Sequence, residues 1–413
     1  MSVPSASQGS GRSGRRPKLW QVVTAAFGVQ SLFFMIASAP AVYAPKVAPE
    51  LGIGPEWVGV LFALSAFSGV TFASAASALY ARFGMIRVLQ IAALSLCAAL
   101  LVGFTAVPWL ILAAGLLIGA AQGPAGPACT YLISSHAPPS KLGLLTSVQQ
   151  AGAPLGLAVG GIVIPALILL LGWRWSLLVL ALPCVGIALM LEGLRRPIDA
   201  QMRTGATPTF RDMVQPLRLV LGEPRLRQMC IIGSALIMLH QGFIGFLIIY
   251  LTVELNLGLV AAGGIMAAAQ IAAIAARLMW GWLGDRTRDA FLILAIAALG
   301  SALCNTALVL YPTGGALWPV VVLSLLLGVT SAGWQGLFFA ANARSAPPDK
   351  VMSALSGVAF FMFAAGGLGP LLIAGVISAT SSYRVAYGLL AALAVWIGAR
   401  LLRQRRAQHF GKS

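Results

Sequence analysis

Long apolar runs, broken by short polar or basic connections, set the pattern of this chain. A helix needs about 20 mostly apolar residues to cross a hydrocarbon slab. Twelve runs reach that length or come close: 20–43, 57–79, 88–107, 109–134, 144–171, 175–194, 228–251, 259–283, 290–311, 317–341, 351–379 and 386–402. The third and fourth are separated only by the turn at Pro108. Barrel strands are short and alternate apolar with polar residues. These runs are continuous and about twice too long for that. The expected fold is an all-α membrane protein of twelve transmembrane helices.

The longest connection, Arg195 to Arg227, divides the spans six and six and contains Pro197, Pro208, Pro216 and Pro224. Five units follow: a disordered cytoplasmic tail (1–19), an N-terminal six-helix bundle (20–194), a cytoplasmic linker (195–227), a C-terminal six-helix bundle (228–402) and a basic tail (403–413). Within the linker, Phe210, Met213, Val214, Leu217, Val220 and Leu221 recur at helical spacing. That predicts a short amphipathic helix on the cytoplasmic face, weakly capped by Thr209 and Asp212. The halves also repeat. Ala137-Pro138-Pro139-Ser140-Lys141 is matched by Ala346-Pro347-Pro348-Asp349-Lys350, and Gly172-Trp173-Arg174 by Ser382-Tyr383-Arg384. Parallel six-helix repeats predict a pseudo-twofold along the membrane normal, with a site between the halves.

Composition removes the soluble alternatives. The chain is 59% hydrophobic and 9% charged, whereas soluble domains carry about 25% charged residues. The net charge of +17 is spread between apolar runs rather than along one folded stripe, which argues against nucleic acid. If both termini are cytoplasmic, 23 of the 27 basic residues lie in inner loops and tails, and only Lys46, Arg174 and Arg384 lie outside. The positive-inside rule favours that orientation. Ala37-Ser38-Ala39 resembles a signal-peptidase site, but the run from Trp20 to Tyr43 is too long for a signal core and Pro40 follows directly. The segment is read as a retained first helix. The five cysteines sit inside apolar runs without metal-ligand spacing, so no metal is expected. The high Ala and Gly content fits a bacterial inner (plasma) membrane.

Gly281-Trp282-Leu283-Gly284-Asp285-Arg286, after the eighth span, resembles the loop signature of the major facilitator superfamily. The likeness covers nearly the whole chain and implies that family's fold of two pseudo-symmetric six-helix bundles. In the family this loop closes the cytoplasmic side, which implies gating roles for Gly281, Asp285 and Arg286. The first-half counterpart keeps Arg82 and Gly84, with Arg87 beyond, but has Ala81 and Ser77 where Asp and Gly are expected. Gly115 stands about where the family's fourth-helix arginine is expected. These departures argue against proton coupling of the drug-antiporter kind. Gly152, Pro154 and Gly156 resemble the family's Gly-Pro-rich fifth helix, and Pro370, after Gly366, Gly367 and Gly369, is the counterpart. Small residues allow close helix approach and Pro permits a bend. Tight packing with a flexing point stands beside substrate contact through backbone or glutamines.

Polar groups deep in a bilayer are costly and therefore candidates for function. Arg277 is the one basic residue placed within a span away from its end. With Gln270 seven residues earlier, it shares nearly one helix face. Its placement resembles the helix-8 arginine of monocarboxylate and oxalate–formate transporters, which implies recognition of a carboxylate; the alternative is a snorkelling or gate-bracing Arg. His240, near the middle of the seventh span, is a substrate or proton ligand or a packing histidine. Gln30, Ser31, Phe34, Ser38, Gln122, Trp334 and Gln335 are candidates to line a cavity, against interhelical hydrogen bonding or packing. Arg174 and Arg384 read as anchors at the outer helix starts.

Glu50, Glu56 and Glu254 fall at the outer surface and Glu192 at an inner helix end, so no mid-membrane carboxylate is expected. The expected function is a secondary carrier for a small organic anion, a carboxylate, by proton symport or anion exchange. Efflux of apolar or drug-like compounds is the alternative. A membrane-embedded enzyme is remote, because no catalytic constellation, cofactor motif or nucleotide loop is present. Expected partners are the substrate, the lipid bilayer and protons as a coupling ion.

Overall fold

In the computed structural model, residues 17–410 are described apart from 139–141, 203–209, 288, 313, 336, 339–340 and 343–350. The first 16 residues, Thr209, Arg344 to Lys350 and most of the Pro139-Ser140-Lys141 repeat therefore lie outside the described residues, as do the side chains of Asp212 and Asp285.

All described regular structure is helical. The elements are α1 (Leu19–Glu50), α2 (Val58–Ser74), α3 (Ala76–Phe83), α4 (Met85–Phe104), α5 (Pro108–His136), α6 (142–171), α7 (173–202), α8 (Phe210–Gly222), α9 (Pro224–Ile249), α10 (Leu259–Thr287), α11 (Ala290–Val309), α12 (Leu317–Leu327), α13 (Val351–Thr380) and α14 (Tyr383–Phe410). Ten helical runs are long and apolar enough to cross a membrane. One of these holds both α6 and α7, broken at Gly172, whose φ of 76° suits glycine. With the shorter apolar run Leu317–Ala332 the described residues supply twelve crossings. An even number returns both termini to one face, called here the terminal face; the opposite one is the far face.

Several spans differ from expectation. The second breaks at Ala75 into α2 and α3. The tenth opens into a π turn at Gly328–Ala332. A π turn leaves a carbonyl without its helical partner, and the Trp280 indole of α10 donates to Val329 O at 2.9 Å. The sixth and twelfth spans run past the expected ends at 194 and 402, to Met202 and Phe410.

Those extensions brace the terminal face. The Asp199 carboxylate of α7 accepts from the backbone N–H groups of Ile86 (2.8 Å) and Arg87 (3.2 Å), capping α4 from another helix. In the second half Asp289 caps α11 by accepting from Leu292 N, and Arg405 of α14 pairs with it at 2.5 Å. The same symmetry appears at the far face. Trp173 Nε1 donates to Glu50 at the end of α1, and Arg384 donates to Glu254 at the end of the α9 run. One turn deeper, Tyr43 bonds Ser176 at 2.7 Å, while the Tyr250 and Tyr387 rings pack 4.7 Å apart. The two halves thus use different chemistry at equivalent positions. The linker helix α8 packs on α13, and a side chain at Gly357 would meet Pro216 and Val220.

Removing a capping side chain leaves helix N–H groups without partners, worth about 0.5–2 kcal/mol. Asp199→Ala should therefore lower the unfolding temperature in detergent, whereas Asp199→Asn, which keeps an acceptor, should lower it less.

Candidate functional site

The two halves meet most extensively along two helix pairs, α6 with α10 and α2 with α13. At α6–α10 the backbones approach at Gly161 and Gly263. A methyl group on Gly161 would stand 2.7 Å from Gly263 O, and one on Gly263 would overlap Gly161 O. At α2–α13 the carbonyl of Pro370 faces Gly59, and Gly367 lies against Ala63 and Ala66. All these positions belong to the far half of their helices. The Ser378 hydroxyl also reaches Glu56 across the same seam, at 3.5 Å. Among the described residues, then, tight backbone contact between the halves concentrates toward the far face, and Pro370 sits within it. Gly152 and Gly156 serve another contact: side chains there would run into Phe27, Gln30 and Ser31 of α1. Pro154, between them, is buried inside α6.

Toward the terminal face the seam becomes polar. Arg277 of α10 reaches across it. One guanidinium nitrogen donates to the backbone carbonyl of Gln150 in α6 at 3.3 Å, and the other donates to Gln335 Oε1 at 3.0 Å. Its Nε has no partner. His240 lies against the Ser331 carbonyl within the field of Arg277, and its Nδ1 is also unpartnered. Gln270, fully buried, has only a weak contact from its amide nitrogen to Met266 Sδ, at 3.5 Å, and an orphan carbonyl. From the first half, Gln149 donates to Gln30 Oε1 at 3.3 Å, and its own carbonyl is unpartnered, as is the Ser31 hydroxyl.

Each buried polar group left unpaired costs about 1–3 kcal/mol. Native structures contain few, and a cluster of them marks a place where function outweighs stability. Arg277 offers donors; His240 Nδ1, Gln149 and Gln270 offer acceptors. A guanidinium whose present partners are neutral carbonyls can exchange them for a carboxylate, which it holds by two parallel charge-assisted bonds.

The other expected residues make contacts within their own half. Gln122 of α5 donates to Phe33 O at 3.2 Å and ties α5 to α1. Trp334 is fully buried, donates to Ser331 O at 2.8 Å and packs edge-on against Phe338. Phe34 is partly buried against the core. Ser38 bonds its own helix at Met35 O. At the terminal face Arg82 lies over the Phe83 ring and Arg286 over the Trp282 ring, at 5.2 and 5.4 Å. Gly281 has open space around its Cα, whereas Gly84, at φ 90°, stands against Asp199. Sequence reasoning missed the Gln150 carbonyl, since a backbone acceptor leaves no signal in residue type. It also missed Asp199, whose partners are backbone N–H groups.

A sequence profile described as Major Facilitator Superfamily matches residues 26–340 and 231–412. No curated protein sequence matches the chain significantly. Among solved structures, the nucleoside transporter NupG is similar with a TM-score of 0.77 at 13% identity, over 93% of this chain and 99% of that one. A bacterial homologue of the human lysosomal transporter Spinster, inward-facing and occupied, gives 0.74 at 15% identity, over 95% and 98%. The D-xylose-proton symporter gives 0.73 at 16%, over 93% and 97%. At these identities the likeness is one of fold.

Because backbone lies on backbone at Gly161 and Gly263, bulk there should hold the far side apart. Spin labels placed across the far face should report a longer distance in Gly263→Leu than in wild type. An unchanged distance would remove this contact from the closing surface.

Proposed function

This chain belongs to the Major Facilitator Superfamily, a family of secondary transporters rather than enzymes, and from that premise we propose that it carries a small organic anion, a carboxylate, by alternating access. The observation that supports this reading most is Arg277. It is a cation within a membrane span, set at the seam between the halves and satisfied only by neutral carbonyl oxygens. No described carboxylate pairs with it. A substrate carboxylate is the partner that chemistry favours, because planar guanidinium and carboxylate match in both shape and charge.

In this mechanism the substrate takes up the Arg277 donors now turned to Gln150 and Gln335. His240, Gln270 and Gln335 supply the remaining polar contacts. Arg277 bonds across the seam to Gln150, so occupation of the site alters a contact between the two halves. That is the requirement for coupling binding to their rocking: a ligand shifts a conformational equilibrium only through contacts that differ between states. Proton symport or anion exchange would return the carrier. We place both termini in the cytoplasm of a bacterial inner membrane, from the distribution of Lys and Arg.

The test is uptake of labelled small carboxylates into proteoliposomes. Breaking one partner of a buried charged pair typically costs about 2–5 kcal/mol. Arg277→Gln should accordingly reduce saturable uptake by roughly 100-fold while leaving the folded protein intact; at about 1.4 kcal/mol per tenfold this is near 3 kcal/mol. Arg277→Lys, which keeps charge but loses the planar fork, should retain part of it. Uptake equal to wild type in the Gln variant would return Arg277 to a bracing role.

A further inference from the structure

The first half contains a cavity that the polar seam does not use. It has a volume of about 340 Å³ and lies at the far end of the bundle, between α1 on one side and α2 and α5 on the other, with α4 and α7 behind. Its wall is almost wholly apolar. The two polar side chains buried in that wall are already engaged: Tyr43 with Ser176 at 2.7 Å, and the Trp173 indole with Glu50 at 2.9 Å. A polar solute would therefore lose its hydration without gaining bonds from them.

Shape narrows the occupant further. The lining reaches from Leu51 back to Ile36 along α1, and from Trp109 to Ile118 along α5. At the helical rise these stretches correspond to a depth of about 14–22 Å, which accommodates an extended alkyl chain. The mouth lies at the far face, where Trp57 and Trp109 are 46% and 70% exposed. Tryptophan at helix starts marks headgroup depth. Four charged side chains adjoin residues of the wall in sequence. Lys46 and Glu50 stand near Val47 on α1, Glu56 precedes Trp57, and Arg174 lies over the Trp173 ring at 5.1 Å.

We propose that this cavity is a lipid site that takes one acyl chain of a phospholipid from the far leaflet, with its headgroup at the Trp57–Trp109 rim. It is distinct in position and chemistry from the Arg277 seam. Two bulky substitutions fill it from different helices: Ala44→Phe on α1 and Ala114→Phe on α5, both lining positions.

The experiment is native mass spectrometry of the full-length protein, titrated in detergent with phosphatidylethanolamine. A second readout is quenching of tryptophan fluorescence by a phospholipid brominated on its acyl chain. The proposal expects one tightly retained lipid on wild type, at least tenfold weaker retention in both variants at unchanged unfolding temperature, and quenching that falls in parallel. Equal retention in wild type and variants would overturn it, placing the lipid elsewhere on the surface. So would wild-type protein that retains no lipid and shows no quenching beyond that of a brominated detergent. If one variant unfolds, the other and the wild-type quenching decide.

Discussion

The hydrocarbon interior offers no water to satisfy a backbone amide, and the architecture of this chain follows from that constraint. It makes every described crossing a helix. It also explains how the helices are interrupted. Where α12 opens into a π turn, an indole from α10 reaches the released carbonyl. Where α6 turns into α7, the break falls at a glycine with positive φ beside a headgroup-level Trp-Arg pair. Where α4 begins, a carboxylate from a distant helix takes two of its free N–H groups. At α12 and at α4, a side chain from another helix answers for the interrupted backbone.

The same constraint gives the seam between the halves its two characters. Toward the far face, contact is made by backbone on backbone at Gly161, Gly263 and Gly59. Packing of that kind needs no polar partner and separates without leaving one exposed. Toward the terminal face contact is polar and incompletely satisfied, through Arg277, His240 and the glutamines. A carrier needs both: a dry surface that can part and a polar site that is improved by its cargo. Membership of the Major Facilitator Superfamily accords with such a division.

The class of fold was legible in the sequence because run length and Lys/Arg placement are linear properties. An all-helical chain of about twelve spans could be read directly. The interruptions at Ala75 and Gly328 could not, since both segments are apolar throughout and the break depends on a neighbouring helix. Trp173 and Arg384 were visible as parts of a repeat, but each meets its partner, Glu50 or Glu254, only through bundle packing. Arg277 stood out by its charge. Its bond to Gln150 did not, because the acceptor is a main-chain oxygen. Trp334, equally conspicuous as a residue type, is fully buried and donates to the Ser331 carbonyl that His240 also meets.

The central claim is that the polar seam recognises a negative charge. Equilibrium binding to the purified protein tests it without the complication of transport. A labelled small carboxylate is challenged with its own unlabelled acid and with the neutral amide of the same shape. The account predicts that the acid displaces the label saturably and that the amide does so at least tenfold less well, about 1.4 kcal/mol or more. Equal displacement by acid and amide would contradict it, showing that the site reads shape and hydrogen bonding without reading charge.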